Sequence, residues 1–335
     1  MLLEGMGEIH HPTSARNAEA QKFFDQGLAL AYGFNHAEAE RSFQRAAELD
    51  PEFAMAHWGV ALVNGPNYNA PADPERTKVA YAAIQKALAL APQASSAEQA
   101  YIEALAMRYS SDPKANALEL EQLYMDAMGF VMDRYPDDLD AATLYAEAGM
   151  NLRPWKLWTK DYEPAAGTEE IVAVLESVLQ RNPRHSGANH LYIHAVEASR
   201  NPDRALPSAN LIASTAPAAG HLVHMAAHIY LRVGDFEAAI ESNRRAAEAD
   251  RVYLRKTGAG GIYKFGYYPH NMHFEAAVHS LAGRFSDAMR AAAQLETFSN
   301  PHLSEVPGME IFSPTSTFVL LRFQKWDQIM KLEEP

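Results

Sequence analysis

The 335-residue chain contains no cysteine. Disulfides, thiolate zinc sites, iron–sulfur clusters and cysteine nucleophiles are therefore excluded together. Basic residues are also few, because 29 Lys and Arg stand against 42 Asp and Glu, which gives a formal net charge of −13. An acidic chain without a basic run repels phosphate backbones, so we expect no nucleic-acid partner. No apolar run approaches the roughly 18 residues that a membrane span needs, so we expect no membrane partner either.

Histidine is the residue type present in excess. The chain has 14 histidines, and 10 of them fall between His185 and His302. The rest of the composition, with 48% hydrophobic and 21% charged residues, is ordinary for a globular protein. The length is at least twice that of a usual single domain, which favours several domains or one extended array.

The chain has the spacing of a repeated helical hairpin. In its first repeat, small and apolar residues and a closing proline occupy the positions expected of a tetratricopeptide repeat (TPR) of about 34 residues: Gly27, Ala39, Phe43, Ala46 and Pro51. The small residues let the two helices of a hairpin approach closely, and the proline ends the second helix. The same rhythm recurs along the chain, with later hairpins closing at Pro92, Pro136, Pro183 and Pro217 and turns at 234–236 and 283–285.

We therefore predict an all-α fold, a single TPR solenoid domain over residues 1–335. It would be a right-handed superhelix of about seven repeats with inserted loops. Residues 1–18 are expected to form a flexible N-terminal segment, and 313–335 an incomplete C-terminal repeat. A terminal repeat normally has a polar outer face. The apolar Leu320 and Leu321 therefore point to a homodimer contact or to a missing C-terminal part.

Inserted segments interrupt the repeat at three informative places. Two of them follow the first helices of the second and fourth repeats, at 64–69 and 153–158, and the third, 256–268, separates the sixth repeat from the seventh. Long loops in compact repeat proteins are usually binding elements or lids, although they can also pack their aromatic residues on the edge of the array. We expect 256–268 to be a lid-like loop that places a tyrosine such as Tyr267 over the site.

A stripe of histidines follows the first helices of three consecutive repeats. In a TPR superhelix these helices line the concave groove, and residues three or four apart project from one helix face. Neighbouring helices lie about 8–10 Å apart, so imidazoles from two helices can reach one metal ion. The candidate metal ligands are His190, His194, His221, His224, His228, His270 and His273.

The stripe predicts one or two transition-metal ions. We expect the first ion to bind His190, His194, His224 and His228. The others would bind a second ion or extend the first site: His221, His270 and His273. Nitrogen and oxygen ligands without sulfur suit copper, iron or zinc.

Carboxylates on neighbouring repeats could complete a catalytic site. The candidate catalytic residues, as ligand, general base or lid, are Glu103, Glu147, Glu197 and Tyr267. All-histidine sites suit oxygen activation by copper or iron, and mixed histidine–glutamate dinuclear sites suit hydrolysis. Imidazoles outnumber carboxylates here, which favours a metal-dependent oxidoreductase over a hydrolase, with a small-molecule or peptide substrate in the concave groove.

A second hypothesis is a non-catalytic TPR scaffold that binds a peptide or a small ligand, or a metal-storage protein. A TPR groove that clamps a peptide carboxylate typically presents Lys, Arg and Asn where this chain has His and Glu. Stoichiometric bound metal would separate the metalloprotein hypothesis from that of a metal-free scaffold.

Several strings resemble a widespread bacterial group of His-rich TPR proteins. The strings are residues 55–59, 144–147, 152–155, 189–197, 219–230 and 269–274, so the resemblance spans nearly the whole chain. It implies the TPR fold and carries no activity with it. Several members of that group carry export signals, whereas residues 1–12 here are mixed and acidic. We therefore expect a cytoplasmic location, or a periplasmic one if an export signal has been removed.

Overall fold

The structure is a computed structural model that describes residues 1–7, 9–71, 73–112 and 114–332. It is 71% helical. The described residues contain no strand and only two isolated β-bridges, Asn67 to Ala70 and Trp158 to Pro164. The predicted all-α fold is therefore confirmed. Among the helices of this part of the chain, none is both long enough and apolar enough to cross a membrane.

Backbone contacts divide the chain into two compact units, Met1–Ala216 and Pro217–Pro335. The described residues of the first unit form α1 (Ala18–Tyr32), α2 (His36–Leu49), α3 (Ala54–Val63), α4 (Pro74–Leu90), α5 (Ser96–Ala106), α6 (Ala117–Arg134), α7 (Leu139–Asn151), α8 (Thr168–Arg181), α9 (Ser186–Val196) and α10 (Leu206–Thr215). Those of the second unit form α11 (Gly220–Val233), α12 (Phe236–Thr257), α13 (Tyr268–Leu281), α14 (Phe285–Ser299), α15 (Thr315–Arg322) and α16 (Trp326–Ile329).

Consecutive helices pack in pairs, α1 with α2, α3 with α4, and so on to α15 with α16. These are the hairpins that the repeat spacing predicted, with the last one short. The predicted terminators lie where the hairpins end, since Pro51, Pro136 and Pro183 each stand two residues beyond α2, α6 and α8. The chain is thus a TPR-like helical-repeat protein.

Small residues allow the hairpins to pack closely. Gly27 of α1 and Gly59 of α3 both face the ring of Phe43 on α2, which is fully buried. A Cβ atom on Gly27 would lie 2.6 Å from that ring, and one on Gly59 would overlap with it as well. This contact explains why the repeat spacing requires small residues at these positions.

The residues before α1 lie against the first unit rather than extending away from it. The Leu3 amide donates to Gln26 Oε1 at 2.6 Å, and the His11 amide donates to Asp25 Oδ1 at 3.2 Å. His11 is buried, with its ring edge-on to Tyr101. The segment predicted to be flexible therefore contributes buried side chains.

Candidate metal centre

Three imidazoles from two helices converge in the second unit. His224 and His228 lie one turn apart on α11 with their Nε2 atoms 3.0 Å apart. The Nε2 atom of His270, on α13, lies 3.2 Å from that of His224. Two nitrogens on a tetrahedral ion, each about 2.0–2.1 Å from the metal, are about 3.4 Å apart. A small opening of this cluster would therefore accommodate an ion, and the three residues can hold one.

Asn243 of α12 fixes the tautomer of His224. Its Nδ2 donates to the Ala239 carbonyl at 2.8 Å, which directs its Oδ1 at His224 Nδ1, 2.7 Å away. An amide oxygen only accepts, so Nδ1 of His224 carries the proton and Nε2 presents its lone pair to the cluster. Metal-ligating histidines are usually held in this way, by an acceptor on the second ring nitrogen.

The cluster is buried under an aromatic ring. His224 is fully buried and His228 nearly so, while His270 is half-buried and gives the cluster its access to solvent. The ring of Phe274 packs 5.0 Å from those of His224 and His228 and 5.8 Å from that of His270. Protonated imidazoles this close together in an apolar site would repel one another, whereas neutral imidazoles can share a cation.

The segment 256–268, predicted to be a lid-like loop, is mostly helical. α12 continues to Thr257, Gly258 ends it in the left-handed conformation, and a π-helical turn, Tyr263–Tyr267, leads directly into α13. π-helical turns are rare in proteins as a whole, and those that occur are often found at functional sites. The turn places the Tyr267 ring 4.5 Å from that of His221, so a tyrosine of this segment does face one of the candidate histidines.

A buried carboxylate that no spacing in the sequence indicates lies next to this turn. Asp250 of α12 accepts hydrogen bonds from Tyr263 Oη and Asn271 Nδ2, both at 2.7 Å. Burial raises the pKa of Asp250 to about 7, against the opposing effect of these two hydrogen bonds. A Cβ atom on Gly220 would collide with the carboxylate. No spacing rule marks Asp250, because its partners come from other segments of the second unit.

His190 and His194 form a buried pair on α9 in the first unit, with ring centroids 5.0 Å apart. His190 Nδ1 lies 2.6 Å from the Tyr32 carbonyl oxygen, and His194 Nδ1 lies 2.9 Å from Glu197 Oε1. Both acceptors favour a proton on Nδ1 and a lone pair on Nε2. The pair is therefore oriented in the same way as His224.

Aromatic residues from three connecting segments surround this pair. The ring of Phe34 lies 4.4 Å from that of His190, and those of Tyr68 and Trp155 lie 5.2 Å and 5.4 Å from that of His194. Phe34 and Trp155 have φ angles of 53° and 61°, a left-handed conformation that is strained for large side chains and is found preferentially at functional sites. The inserted segments 64–69 and 153–158 thus supply two of these rings.

The observed positions differ from the predicted open groove. Four of the seven side chains expected to line it are at most 2% exposed: His190, His194, His221 and His224. The inserted segments and the π-helical turn pack against them, which repeat spacing alone does not encode. His270 lies beside His224 and His228, which corresponds to the alternative in which His270 extends the first site.

His273 points elsewhere. Its ring packs 5.8 Å from that of Phe312, and burial lowers its pKa. Residues three apart on a helix differ in direction by about 60°, so His270 faces α11 while His273 faces the residues after α14. His273 is therefore not among the imidazoles that converge.

The candidate glutamates are dispersed. Glu197 contacts His194, as described above. Glu147 is half-buried near Arg108, and burial raises its pKa to about 7 although Arg108 opposes this. Glu103 is exposed on α5. Within the described part of the chain, no hydrogen bond or ion pair joins Glu103 or Glu147 to a histidine.

No family model matches the chain, and no curated protein sequence matches it. Among solved structures, the human IFIT1 dimer with PPP-AAAA is 13% identical, over 93% of this chain and 70% of that chain, with a TM-score of 0.40. The P58(IPK) TPR domain is 13% identical over 94% and 91%, with a TM-score of 0.24. The APC/C hetero-tetramer Cut9-Hcn1 is 11% identical over 96% and 76%, with a TM-score of 0.27. The repeat assignment stands on the packed hairpins themselves: the chain has a TPR-like helical-repeat fold with histidine clusters that could hold a metal ion.

Proposed function

We propose that the protein binds a transition-metal ion through His224, His228 and His270. The observation that supports this is the convergence of three Nε2 atoms, with neighbouring pairs 3.0 Å and 3.2 Å apart. Asn243 favours the tautomer of His224 that a metal requires. When His228 and His270 also carry their protons on Nδ1, all three Nε2 lone pairs are available to a shared cation.

Three protein ligands favour catalysis over a purely structural role. Structural zinc sites are closed by four protein ligands, whereas catalytic sites keep a position open for water or substrate. A small molecule would reach that position past His270, the half-buried member of the cluster. A bound ion would supply Lewis-acid or electron-transfer chemistry. An all-imidazole set suits copper, iron or zinc, and it favours an oxidoreductase over a hydrolase.

The His190–His194 pair is a candidate for further metal binding. Its two Nδ1 atoms are held by the Tyr32 carbonyl and by Glu197, which is how ligating imidazoles are oriented. In this proposal Glu197 positions His194 rather than acting on a substrate. Tyr267 contacts His221 and would shape the surroundings of the second-unit site.

Elemental analysis of the purified protein tests the proposal directly. Wild-type protein should carry at least one equivalent of copper, iron or zinc, and the His224→Ala variant should lose about one equivalent. A chelator should lower the melting temperature of wild-type protein. The metal stabilises the fold by about 3–4 kcal/mol when its free concentration exceeds its dissociation constant 100- to 1,000-fold. The His10→Ala variant, which changes an exposed residue of the first unit, is the matched control.

Absence of stoichiometric metal after growth in metal-supplemented medium, with a melting temperature that does not respond to chelator, would refute metal binding. A metal-free scaffold for a peptide or small ligand would then be the better interpretation. Bound metal without turnover in an oxidase, peroxidase and hydrolase screen would instead support storage.

A further inference from the structure

A cleft of about 860 Å³ opens in the first unit. Residues 9–12, the connection from α6 to α7 and the start of α9 contribute to its wall. Histidines, carboxylates, hydroxyls and arginines all line it. The hydrogen bonds of these groups determine what the cleft can bind.

Asp140, in the wall of the cleft, has three side-chain donors around it. Tyr32 Oη donates to Oδ1 at 2.6 Å, and His185 Nε2 lies 3.2 Å from the same oxygen. His11 Nδ1 lies 2.8 Å from Oδ2. Burial would raise the pKa of Asp140, but the hydrogen bonds from His11 and His185 outweigh it and hold the pKa well below its usual range. Asp140 is therefore an ionised carboxylate that orients its neighbours.

The two histidines have different tautomers and therefore different roles. The Ala188 amide donates to His185 Nδ1 at 3.1 Å, so the proton of a neutral His185 is on Nε2 and points at Asp140. This arrangement prevents His185 from ligating a metal through Nε2. His11 instead donates a hydrogen bond from Nδ1–H to Asp140 Oδ2, which directs its Nε2 side away from the carboxylate. Burial lowers the pKa of His11, but the hydrogen bond and the charge of Asp140 together outweigh burial. The pKa is therefore raised, which favours the cationic form.

The other acidic groups of the wall are also engaged. Glu98 accepts from the amide and hydroxyl of Ser14 and from the Ser95 amide. Asp138 accepts from Tyr101 Oη at 2.8 Å and caps α7. The exposed Asp137 pairs with Arg181 at 2.9 Å. Each of these carboxylates is therefore already engaged by a donor of the protein itself.

Donors, by contrast, remain available. The Ser186 hydroxyl, in a side chain that is 4% exposed, has no hydrogen-bond partner among the described residues, and neither has the buried hydroxyl of Tyr135. Both residues line the cleft, as do Arg184 at its rim and His11. A buried hydroxyl without a partner is costly, and an acceptor in the cleft that reached either hydroxyl would remove that cost.

We propose that this cleft binds a small organic anion through a phosphate or carboxylate group. The group would accept hydrogen bonds from the hydroxyls of Ser186 and Tyr135. The positive charges of His11 and Arg184 would attract it. The start of α9, at Ser186, adds backbone amides and the positive end of the helix dipole. The site uses none of the proposed metal ligands, so it stands independently of the proposed metal function.

Titration with inorganic phosphate and with succinate, followed by calorimetry and melting temperature at an ionic strength fixed with sodium chloride, tests the proposal. At least one anion should bind saturably, and the preferred one identifies the group as phosphate or carboxylate. Ser186→Ala and Arg184→Gln should each weaken binding about tenfold, the effect of losing one hydrogen bond to a charged group. Arg153→Gln, an exposed arginine that does not line the cleft, should bind like wild type.

The same titration on chelator-treated protein and on His224→Ala distinguishes this site from the metal centre. Binding retained in both supports the cleft, and binding lost in both would place the anion on the metal and overturn the proposal. Equal affinity of wild type, Ser186→Ala and Arg184→Gln would also overturn it. So would the absence of any anion response beyond that of sodium chloride.

Discussion

The Nε2 atoms of His224 and His270 lie 3.2 Å apart although 46 positions separate the two residues in the chain. α12 connects their helices and supplies Asn243, which holds the other nitrogen of His224 at 2.7 Å. Three consecutive helices of the second unit therefore contribute two candidate ligands from one helix, an orienting amide from the next and a third candidate ligand from the last.

Replacing His270 and His273 separately should give opposite results. The His270→Ala variant removes a converging nitrogen and should lower the metal content by about one equivalent or reduce the affinity strongly. The His273→Ala variant changes a ring that packs on Phe312 and should retain the metal. Elemental analysis after gel filtration measures both. Equal metal loss in the two variants would show that the grouping described above is wrong.

Asn243 should control metal affinity without contacting the metal. Asn243→Leu removes the acceptor for His224 Nδ1 and should weaken metal binding about 10- to 100-fold, the usual effect of losing such an orienting group. Asn243→Asp keeps an acceptor there and should bind metal more tightly than the leucine variant. Competition with a chromophoric chelator measures the affinities. If both variants bind alike, the orienting role of Asn243 is refuted.

Gly27 should be intolerant of a methyl group. In Gly27→Ala the new Cβ would lie 2.6 Å from the buried ring of Phe43. Overpacking of this kind costs about 1–3 kcal/mol, which should exceed the gain of about 1 kcal/mol from the better helix propensity of alanine. Gly260→Ala is the control, because nothing lies within 4 Å of its Cβ position. Urea denaturation at constant pH compares the two, and an unchanged Gly27→Ala midpoint would contradict the packing argument.

Asp250 should make stability depend on pH between its unfolded and folded pKa values. Burial raises its pKa from 3.8 to about 7, so the unfolded chain loses this proton first. The contribution of Asp250 to stability is fully present below the unfolded pKa and is lost as the pH rises through about 7. Asp250→Asn removes this titration, and the Asn271 amide can turn to present its unpartnered Oδ1 to the new amide.

The melting temperature of the Asp250→Asn variant, relative to that of wild type, should therefore rise between pH 5 and pH 8. Because the other carboxylates titrate in both proteins, their effect cancels when the melting temperature of wild type is subtracted from that of the variant at each pH. Parallel pH profiles would mean that Asp250 has no raised pKa in the folded state.

The hairpins could be predicted from the sequence because their causes are local. Small residues such as Gly27 and Gly59, together with prolines two positions beyond helix ends, act within one hairpin or between adjacent ones. The histidine spacing on α11 was equally informative, because residues four apart on any helix share a face. The sequence also predicted that a tyrosine of 256–268 lies near the histidines, although it predicted a loop where the structure has a π-helical turn.

The sequence by itself determined the helical class, the hairpin boundaries and the pairing of His224 with His228. Only the tertiary structure decided that His270 joins them while His273 does not, because a rotation of about 60° on one helix selects different packed neighbours. It also decided that the histidine stripe is buried beneath aromatic rings, that Asp250 lies next to Tyr263, and that His11 reaches Asp140. Each of these contacts joins segments that are distant in sequence, and helix periodicity fixes directions within a helix but not the neighbour that each face meets.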